Sequence, residues 1–340
     1  MINKLSIKNF GTLKDISWNN LAGINLIIGE NGTGKSFLLK SLYSAVKTIE
    51  DYMRGDDVRT TNEILAEKLR WTFQTDRLGE LVTKGQDKHL SFDIKFDNKS
   101  FSYSFSKDTN IKLNTVTNET SNRESNSIFL PAKEVLSIFN IILKSREVDK
   151  SFGFDDTYFD LAKALKITPK MGKNYKAFSE SRKKLENILG GAVEFDEQSS
   201  RWQFKKGNQK FSIGATSEGV KKIAILDNLL ANRYINTSSI IFIDEPEAAL
   251  HPSAISDFLD IVAILSDSGI QFFLASHSYF VLKKLALIAK QKSISIPVIS
   301  IDVNAGMEAA YDDLKIVMPK NSIINESIRL YKEEISEVIK

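Results

Sequence analysis

Hydrophobic and polar positions alternate along this chain between strand-like and helix-like patterns. Short apolar runs, which are typical of buried strands, occur at residues 24–28, 240–243, 271–275 and 297–301. Helical periodicity follows the first three runs, starting at Phe37 and at about residues 253 and 279. Strands separated by helices at this spacing predict a largely parallel sheet with right-handed crossovers, and hence an α/β fold.

The N-terminal part has a different pattern. Residues 4–18 predict a hairpin broken at Gly11, and the segments HLSFDIKF and FSYSFS predict a second hairpin around Asp97, Asn98 and Lys99. The alternating aromatic residues of the second hairpin indicate a core face. Residues 107–126 are polar and predict a mobile loop. We therefore expect a mixed β N-terminal lobe over residues 1–132.

The middle of the chain is mostly helical in pattern. A helical insertion is predicted over residues 133–191, ending at the stop signal of Gly190 and Gly191, and a C-terminal lobe over residues 192–340. The last helix, from about residue 322, carries an apolar stripe that predicts packing on the sheet. Its members are Ile324, Ile328, Tyr331, Ile335 and Val338.

The segment GENGTGKS, residues 29–36, lies between the first buried strand and the following helix. It matches the phosphate-binding pattern G-x-x-x-x-G-K-[ST] in the context that the pattern requires. Glycines let backbone N–H groups turn toward phosphate oxygens, Lys35 reaches the outer phosphates, and the Ser36 hydroxyl ligates Mg²⁺. The alternative is a surface turn before a helix. The residues predicted to bind nucleotide here are Gly29, Glu30, Asn31, Gly32, Thr33, Gly34, Lys35, Ser36 and Phe37.

An acidic pair, Asp244 and Glu245, ends the strand at residues 240–243, where ligands of open α/β sheets collect. Two adjacent carboxylates there are costly unless a cation or a reacting water uses them. We predict that Asp244 holds Mg²⁺ and that Glu245 orients and deprotonates the attacking water. The alternative is a solvated pair that caps the next helix.

His277 ends the apolar segment QFFLASHS, which leads to the same edge of the predicted sheet. Its imidazole is therefore predicted to contact the γ-phosphate, and we group it with Glu245 and Lys35 as catalytic. The alternative is a structural histidine.

Taken together, these segments resemble the ABC-type ATPases of the SMC, RecF and overcoming-lysogenization-defect (OLD) group. IKNFGTLKDI, GENGTGKS, ATSEGVKKI, IIFIDEPEAALHP and FFLASHS follow one another in the order that this group uses, over residues 4–278. The resemblance implies ATP and Mg²⁺ as ligands. It also implies that Ser217 and Gly219 form a signature that caps the γ-phosphate bound by the opposite subunit. A homodimer joined through an ATP sandwich, or a higher oligomer, would then open on hydrolysis.

The chain departs from this group in two ways. The glutamine loop should lie near residues 127–134, but SIFLPAKE contains no glutamine, which leaves Lys133 or Glu134 as substitutes. The helical insertion is too short for a long coiled coil, so we do not expect distant DNA segments to be bridged. The segment after His277 is also too short for the C-terminal nuclease domain of many OLD proteins, so we expect a separate effector protein.

Composition narrows the partners only in part. Lys and Arg total 46 against 43 Asp and Glu, for a net charge of +3 without a basic block, so nucleic acid remains open as a partner. The absence of cysteine and the scatter of three histidines exclude a thiolate or zinc cluster. No apolar run is long enough for a membrane span, so we expect no membrane partner and a cytoplasmic location.

The predicted function is Mg²⁺-dependent ATP hydrolysis. The preferred biological role is that of the sensor or regulator ATPase of a bacterial anti-phage defence system. The alternative is a RecF-like ATPase that binds DNA in repair. A nucleotide-locked scaffold with little turnover stays open, whereas the missing S-A-L-D type D-loop argues against a transporter subunit.

Overall fold

The computed structural model describes residues 1–85, 88–170, 172, 174–302 and 308–338. The strands, in chain order, are β1 (Ile2–Phe10), β2 (Leu13–Asn19), β3 (Ile24–Gly29), β4 (Leu90–Phe96), β5 (Lys99–Phe105), β6 (Thr115–Asn118), β7 (Ile128–Leu130), β8 (Ala192–Asp196), β9 (Arg201–Lys206), β10 (Gln209–Ser212), β11 (Ile240–Asp244), β12 (Gln271–Ser276), β13 (Pro297–Asp302) and β14 (Glu308–Asp313). The helices are α1 (Lys35–Asp51), α2 (Thr61–Phe73), α3 (Phe139–Glu147), α4 (Asp156–Leu165), α5 (Lys176–Leu189), α6 (Glu218–Ala231), α7 (Pro252–Asp267), α8 (Tyr279–Lys292) and α9 (Ser322–Val338).

A six-stranded sheet in the order β14-β13-β3-β12-β11-β7 forms the centre of the protein. All neighbouring pairs are parallel except β13 with β14, which confirms the predicted parallel core. Successive residues of β3 face opposite sides, so that Leu26 lies in one apolar cluster and Ile27 in the other. Both faces of the sheet are therefore buried, and the carboxyl ends of β3, β11 and β12 meet at one edge.

An antiparallel sheet in the order β2-β1-β4-β5-β6 forms the mixed N-terminal part. Both predicted hairpins are present, and the aromatic face of the second is core, with Phe92 stacked on Tyr103 at 4.9 Å between ring centroids. The prediction of a mobile loop over residues 107–126 was wrong in part, because β6 pairs with β5 there. This strand lies at the sheet edge and has no buried residue, so it lacks the apolar signal of a strand.

The helices α3, α4 and α5 occupy the predicted insertion. Their buried side chains, such as Ile142, Leu161 and Phe178, lie in the same apolar cluster as Ile241 and Leu274 of the parallel sheet. A small antiparallel sheet, β10-β9-β8, follows them. The helical segment thus extends the core of the sheet.

The last helix corrects the sequence prediction. We expected the stripe of α9 to pack on the parallel sheet, but α9 has no buried residue. Tyr331 is 63% exposed and Val338 is 81% exposed, and only Ile323 and Ile324 of the first turn contact the core. The reason is that both faces of the sheet are already covered, which leaves no apolar surface for the rest of the helix.

Candidate nucleotide-binding site

The phosphate loop joins β3 to α1 at the carboxyl edge of the parallel sheet. Gly34 precedes α1 with φ of 93°, a left-handed conformation that favours glycine. A Cβ at this position would lie 2.6 Å from the Thr12 hydroxyl oxygen, so the close approach also requires glycine. The loop therefore turns sharply into the helix, whose first N–H groups have no acceptor within α1.

Lys35 lies inside this loop and is 7% exposed. Its ammonium donates to the carbonyl oxygens of Gly29 at 2.9 Å and Glu30 at 2.7 Å. Burial lowers the pKa of Lys35, against the opposing effect of nearby carboxylates, of which Asp244 contributes most. Among the described residues, the hydrogen-bond partners of the ammonium are these two backbone oxygens, which leaves its charge available to an anion.

Thr33 and Phe37 support the loop by packing. Thr33 is fully buried, and its hydroxyl donates to the Glu30 carbonyl oxygen at 3.0 Å. The ring of Phe37 lies against Phe73 and Phe10, with centroid distances of 4.5 and 5.1 Å. Any contribution of Phe37 to nucleotide binding must therefore come from its backbone N–H.

Asp244 ends β11 and is 9% exposed. Burial raises the pKa of its carboxyl group, and a hydrogen bond from the Ser36 hydroxyl opposes that shift. The oxygen Oδ1 is buried without a hydrogen-bond partner. A carboxylate oxygen and a hydroxyl oxygen side by side are ligands that suit Mg²⁺.

The fit to Mg²⁺ has one further aspect. In the described part of the chain, no group of three or more His, Cys, Asp or Glu side chains could hold a metal ion. Mg²⁺ commonly takes only one or two protein ligands and completes its shell with phosphate oxygens and water. Ser36 and Asp244 therefore fit a metal that arrives with a nucleotide.

Glu245 and His277 lie next to each other beside Asp244. The imidazole Nδ1 of His277 is 3.5 Å from Glu245 Oε1 and 3.7 Å from Glu247 Oε1. Glu247 also accepts hydrogen bonds from the Ser276 hydroxyl at 2.8 Å and the His277 backbone N–H at 3.2 Å. Glu247 was assigned no role in the site from the sequence, and its only signal there is that it is the third acid of the segment DEPE.

Lys222 on α6 is a second residue that the sequence analysis missed. Its side chain is 6% exposed, and its ammonium donates to the backbone carbonyl oxygens of Asp244, at 3.4 Å, and Glu245. Burial lowers the pKa of Lys222 to about 8. Its only sequence signal is that it is the second of two adjacent lysines shortly after the segment TSEG.

Ser217 and Gly219 begin helix α6. The Ser217 hydroxyl is exposed and caps the helix by accepting from the Val220 N–H at 3.4 Å. Gly219 is buried, and a Cβ there would lie 2.6 Å from the Ala249 carbonyl oxygen. Among the described residues, no hydrogen bond or ion pair joins this turn to residues 29–36 of the same chain.

Of the two substitutes considered for the missing glutamine, Glu134 contacts the signature helix. Its Oε1 is 3.5 Å from the ammonium of Lys221, whereas Lys133 is exposed. The structure thus brings Lys35, Ser36, Asp244, Glu245 and His277 to one edge, as their positions after parallel strands predicted. It leaves Ser217 and Gly219 on the start of a separate helix.

Fold and site together define a P-loop NTPase of the ABC and SMC type. The structure is similar to an SMC head bound to the C-terminal winged-helix domain of ScpA, with a TM-score of 0.55 and 16% identity over 92% of this chain and 98% of that chain. The chain belongs to the family described as "AAA domain, putative AbiEii toxin, Type IV TA system", whose sequence model matches residues 24–283. The resemblance to ATPases of the SMC, RecF and OLD group is thereby confirmed as a class.

Other similar proteins agree with this class. An SMC head with an extended coiled coil bound to the C-terminal domain of ScpA from Pyrococcus furiosus has a TM-score of 0.51 at 12% identity, covering 96% of this chain and 99% of that chain. An ATP/GTP phosphatase of Helicobacter pylori is 23% identical over 340 residues, covering 87% of this chain and 90% of that protein. The Old nuclease of Escherichia phage P2 is 48% identical over 42 residues, which is 12% of this chain and 7% of the nuclease.

The structure also bears on a membrane location. No helix in the described ranges is both long and apolar enough to cross a bilayer.

Proposed function

We propose that this chain hydrolyses ATP in a Mg²⁺-dependent reaction within a nucleotide-sandwich homodimer. The observation that supports the reaction most directly is the unpartnered, buried Oδ1 of Asp244 next to the Ser36 hydroxyl. Buried carboxylate oxygens are rarely left without a partner. A metal ion bound with the nucleotide supplies the partner that the protein itself lacks.

Each residue of the edge has a distinct task in this proposal. Lys35 and the N–H groups of the loop bind the phosphates, and Ser36 and Asp244 hold Mg²⁺. Bound Mg²⁺ neutralises charge that develops on the phosphate oxygens. Glu245 accepts the proton of the attacking water while the bond to the leaving ADP breaks, and His277, 3.5 Å away, orients Glu245 and contacts the γ-phosphate.

The proposed dimer rests on the separation of the signature from the phosphate loop. The start of α6 presents an exposed Ser217 hydroxyl and the partial positive charge of a helix N-terminus, both suited to a phosphate group. Among the described residues neither group has a contact with residues 29–36 of its own chain. A second copy, bound head to tail, would bring the two halves together around one triphosphate.

Mixing two inactive variants tests the dimer. Lys35→Ala removes the phosphate contact and Ser217→Arg blocks the signature, so each protein alone should lose ATP hydrolysis. In a mixed dimer one of the two composite sites is intact, so random pairing should restore about one quarter of the wild-type rate if each site turns over independently, and a smaller fraction if the two sites are coupled. A mixture that is no more active than the separate variants, or variants that each bind and cleave ATP like the wild type, would rule out the shared site.

The chemistry is tested with Glu245→Gln. This change keeps the shape of the side chain but removes the proton acceptor, so phosphate release should fall by about 10²- to 10³-fold while ATP binding remains. The measurement is single-turnover phosphate release together with binding of a fluorescent ATP analogue. Unchanged phosphate release would show that Glu245 is not the base and would favour a scaffold with little turnover.

We further propose that the ATPase is the sensor or regulator of a bacterial anti-phage defence system, acting with a separate effector protein. Support comes from the toxin–antitoxin wording of the family description and from the local match to the Old nuclease. In a host that carries the gene with its neighbours, phage plaque counts should rise when Glu245→Gln replaces the wild type. Unchanged plaque counts, together with ATP-dependent and salt-sensitive binding of duplex DNA, would instead favour the RecF-like alternative.

A further inference from the structure

The short turn after β11 places the backbone of Glu245 in an unusual conformation. Glu245 has φ of 47°, in the left-handed region that side chains disfavour, and it precedes Pro246. Its N–H donates to the Ala275 carbonyl oxygen on β12 at 2.9 Å. Its carbonyl oxygen accepts from the Ala248 N–H at 2.9 Å and from the ammonium of Lys222. The peptide of the proposed base is thus held on both sides.

The contact between Lys222 and the Glu245 carbonyl oxygen requires that the ammonium charge be buried. The ammonium of Lys222 is buried, and no carboxylate oxygen of the described residues lies within ion-pair distance, so it donates to backbone carbonyl oxygens. Burial of a cation without a carboxylate partner lowers the stability of the folded state, because the charge loses its hydration. A contact of this kind is therefore expected to serve geometry more than stability.

Helix α6 connects Lys222 to the signature turn. Ser217 caps this helix, and Lys222 lies one turn beyond Gly219, where a Cβ would come within 2.6 Å of the Ala249 carbonyl oxygen. The same rigid helix end therefore contacts the turn that carries Glu245 at two points. A shift of α6 changes the position of the Glu245 carbonyl oxygen through Lys222.

We infer that Lys222 is a positioning residue that couples the signature helix to the Glu245 of its own chain. The inference rests on the proposed nucleotide-sandwich function. When the signature turn engages the triphosphate bound by the partner, α6 is held in place, and Lys222 then fixes the strained peptide of Glu245. The two composite sites of the dimer are thereby made to act together.

The test compares Lys222→Met and Lys222→Gln with the wild type. Methionine fills the space without a donor, so kcat should fall by about 10- to 100-fold, while KM and the Kd for a fluorescent ATP analogue change by less than about twofold. Glutamine keeps one N–H donor and should recover part of kcat. The Hill coefficient for ATP should fall toward one in the methionine variant, since the coupling is lost.

Lys221→Met is the matched control. Lys221 is the adjacent residue and is also buried, but its ammonium pairs with the Glu218 and Glu134 carboxylates and does not touch the Glu245 peptide. We expect its loss of kcat to be smaller than that of Lys222→Met, with the Hill coefficient retained. Urea unfolding of all three variants shows whether stability accounts for the losses: Lys222→Met should be at least as stable as the wild type, because a poorly solvated cation is removed.

The outcomes separate this inference from the function on which it rests. If the wild type turns over ATP and Glu245→Gln does not, but both Lys222 variants keep the wild-type kcat and Hill coefficient, the positioning role is wrong and the ATPase stands. A kcat that falls only in proportion to lost stability also overturns it. If the wild type itself does not hydrolyse ATP, the proposed function and the inference fail together.

Discussion

A buried carboxylate lies at each end of helix α1, and the two carboxylates differ in how completely their oxygens are paired. At the C-terminal end, Glu50 is 1% exposed, and its oxygens accept from the Ser127 N–H at 2.8 Å and the Ser127 hydroxyl at 2.6 Å. Lys47 and Arg123 add their charges at 3.4 and 3.6 Å. At the N-terminal end, Asp244 faces Ser36 and keeps one buried oxygen without a partner.

This difference separates a structural carboxylate from one that is available for binding. A buried charge with a complete set of partners stabilises the fold. Removal of one partner leaves the remaining groups buried and unpaired, which strongly lowers the free energy of unfolding. A buried carboxylate with one oxygen that accepts no hydrogen bond lacks such a complete set, so its replacement costs less stability. The protein is therefore expected to depend on Glu50 for folding and on Asp244 for ligand binding.

The largest expected effect comes from comparing Glu50→Gln with Asp244→Asn in the absence of nucleotide. Glu50→Gln should lower the free energy of unfolding by about 4 kcal/mol, because the buried Lys47 and the partly buried Arg123 lose the carboxylate that they share. Of these two cations, only Lys47 keeps another carboxylate among the described residues, Asp51 at 3.7 Å. Asp244→Asn should lower it by less than about 1 kcal/mol, since burial already raises the pKa of Asp244 and disfavours its charge. Urea unfolding measures both, and equal losses would contradict the distinction between the two ends.

A second prediction concerns pH in the charged cluster between α2 and α4, where Lys68 lies 4.0 Å from Asp51 at the C-terminal end of α1. The ammonium of Lys68 lies 2.7 Å from Asp160 and 3.2 Å from Asp156. Burial raises the pKa of Asp156 to about 6, above its ordinary value of 3.8. The folded state then binds more protons than the unfolded state between these values, so this group makes the protein less stable as pH rises from about 4 to about 6.

A pKa of about 6 in place of 3.8 corresponds to a loss of at most about 3 kcal/mol in the free energy of unfolding. Asp156→Asn should remove this contribution, so the stability of the variant relative to the wild type should increase across that pH window. Asp160→Asn should weaken the same trend only in part, because burial raises the pKa of Asp156 most and the nearby charge of Asp160 raises it further. If the difference in unfolding free energy between Asp156→Asn and the wild type stayed constant between pH 4 and pH 6, the prediction would be contradicted.

The same contrast explains how much the sequence could predict. Asp244 ends one apolar strand and His277 follows another, while Lys35 and Ser36 begin the helix after the glycine-rich loop of a third. Parallel strands bring their carboxyl ends together, so the apolar pattern and the loop motif predict that these residues meet. Lys222 and Glu247 act through backbone groups and neighbours that are remote in sequence, such as the Ser276 hydroxyl 29 residues away from Glu247. Such contacts have no local signature.

The strand β6 was missed, and the helix α9 was predicted but its packing was wrong, for related reasons. The strand β6 has no buried residue, so its polar sequence gives no period-two apolar pattern. The stripe of α9 has a helical period, but periodicity cannot show whether a partner surface is free, and both faces of the sheet were already covered. The hydrophobic pattern predicts the helix or strand itself. Where that element packs depends on which apolar surfaces of the core are still uncovered.

The smallest expected effect compares the serine that contacts each carboxylate. The Ser127 hydroxyl is fully buried, donates to Glu50 and accepts from the Ile240 N–H at 3.0 Å, so Ser127→Ala should cost about 2 kcal/mol of unfolding free energy. Ser36 is exposed, so Ser36→Ala should change stability by less than about 0.5 kcal/mol.

Ser36→Ala should nevertheless weaken the Mg²⁺ dependence of nucleotide binding, because it removes one of the two proposed ligands of the metal. Titration of a fluorescent ATP analogue with and without Mg²⁺ measures this effect, and Ser127→Ala should leave the Mg²⁺ dependence unchanged. If Ser36→Ala proved as destabilising as Ser127→Ala, the two ends of α1 would be built alike, and the open oxygen of Asp244 would no longer indicate a metal site.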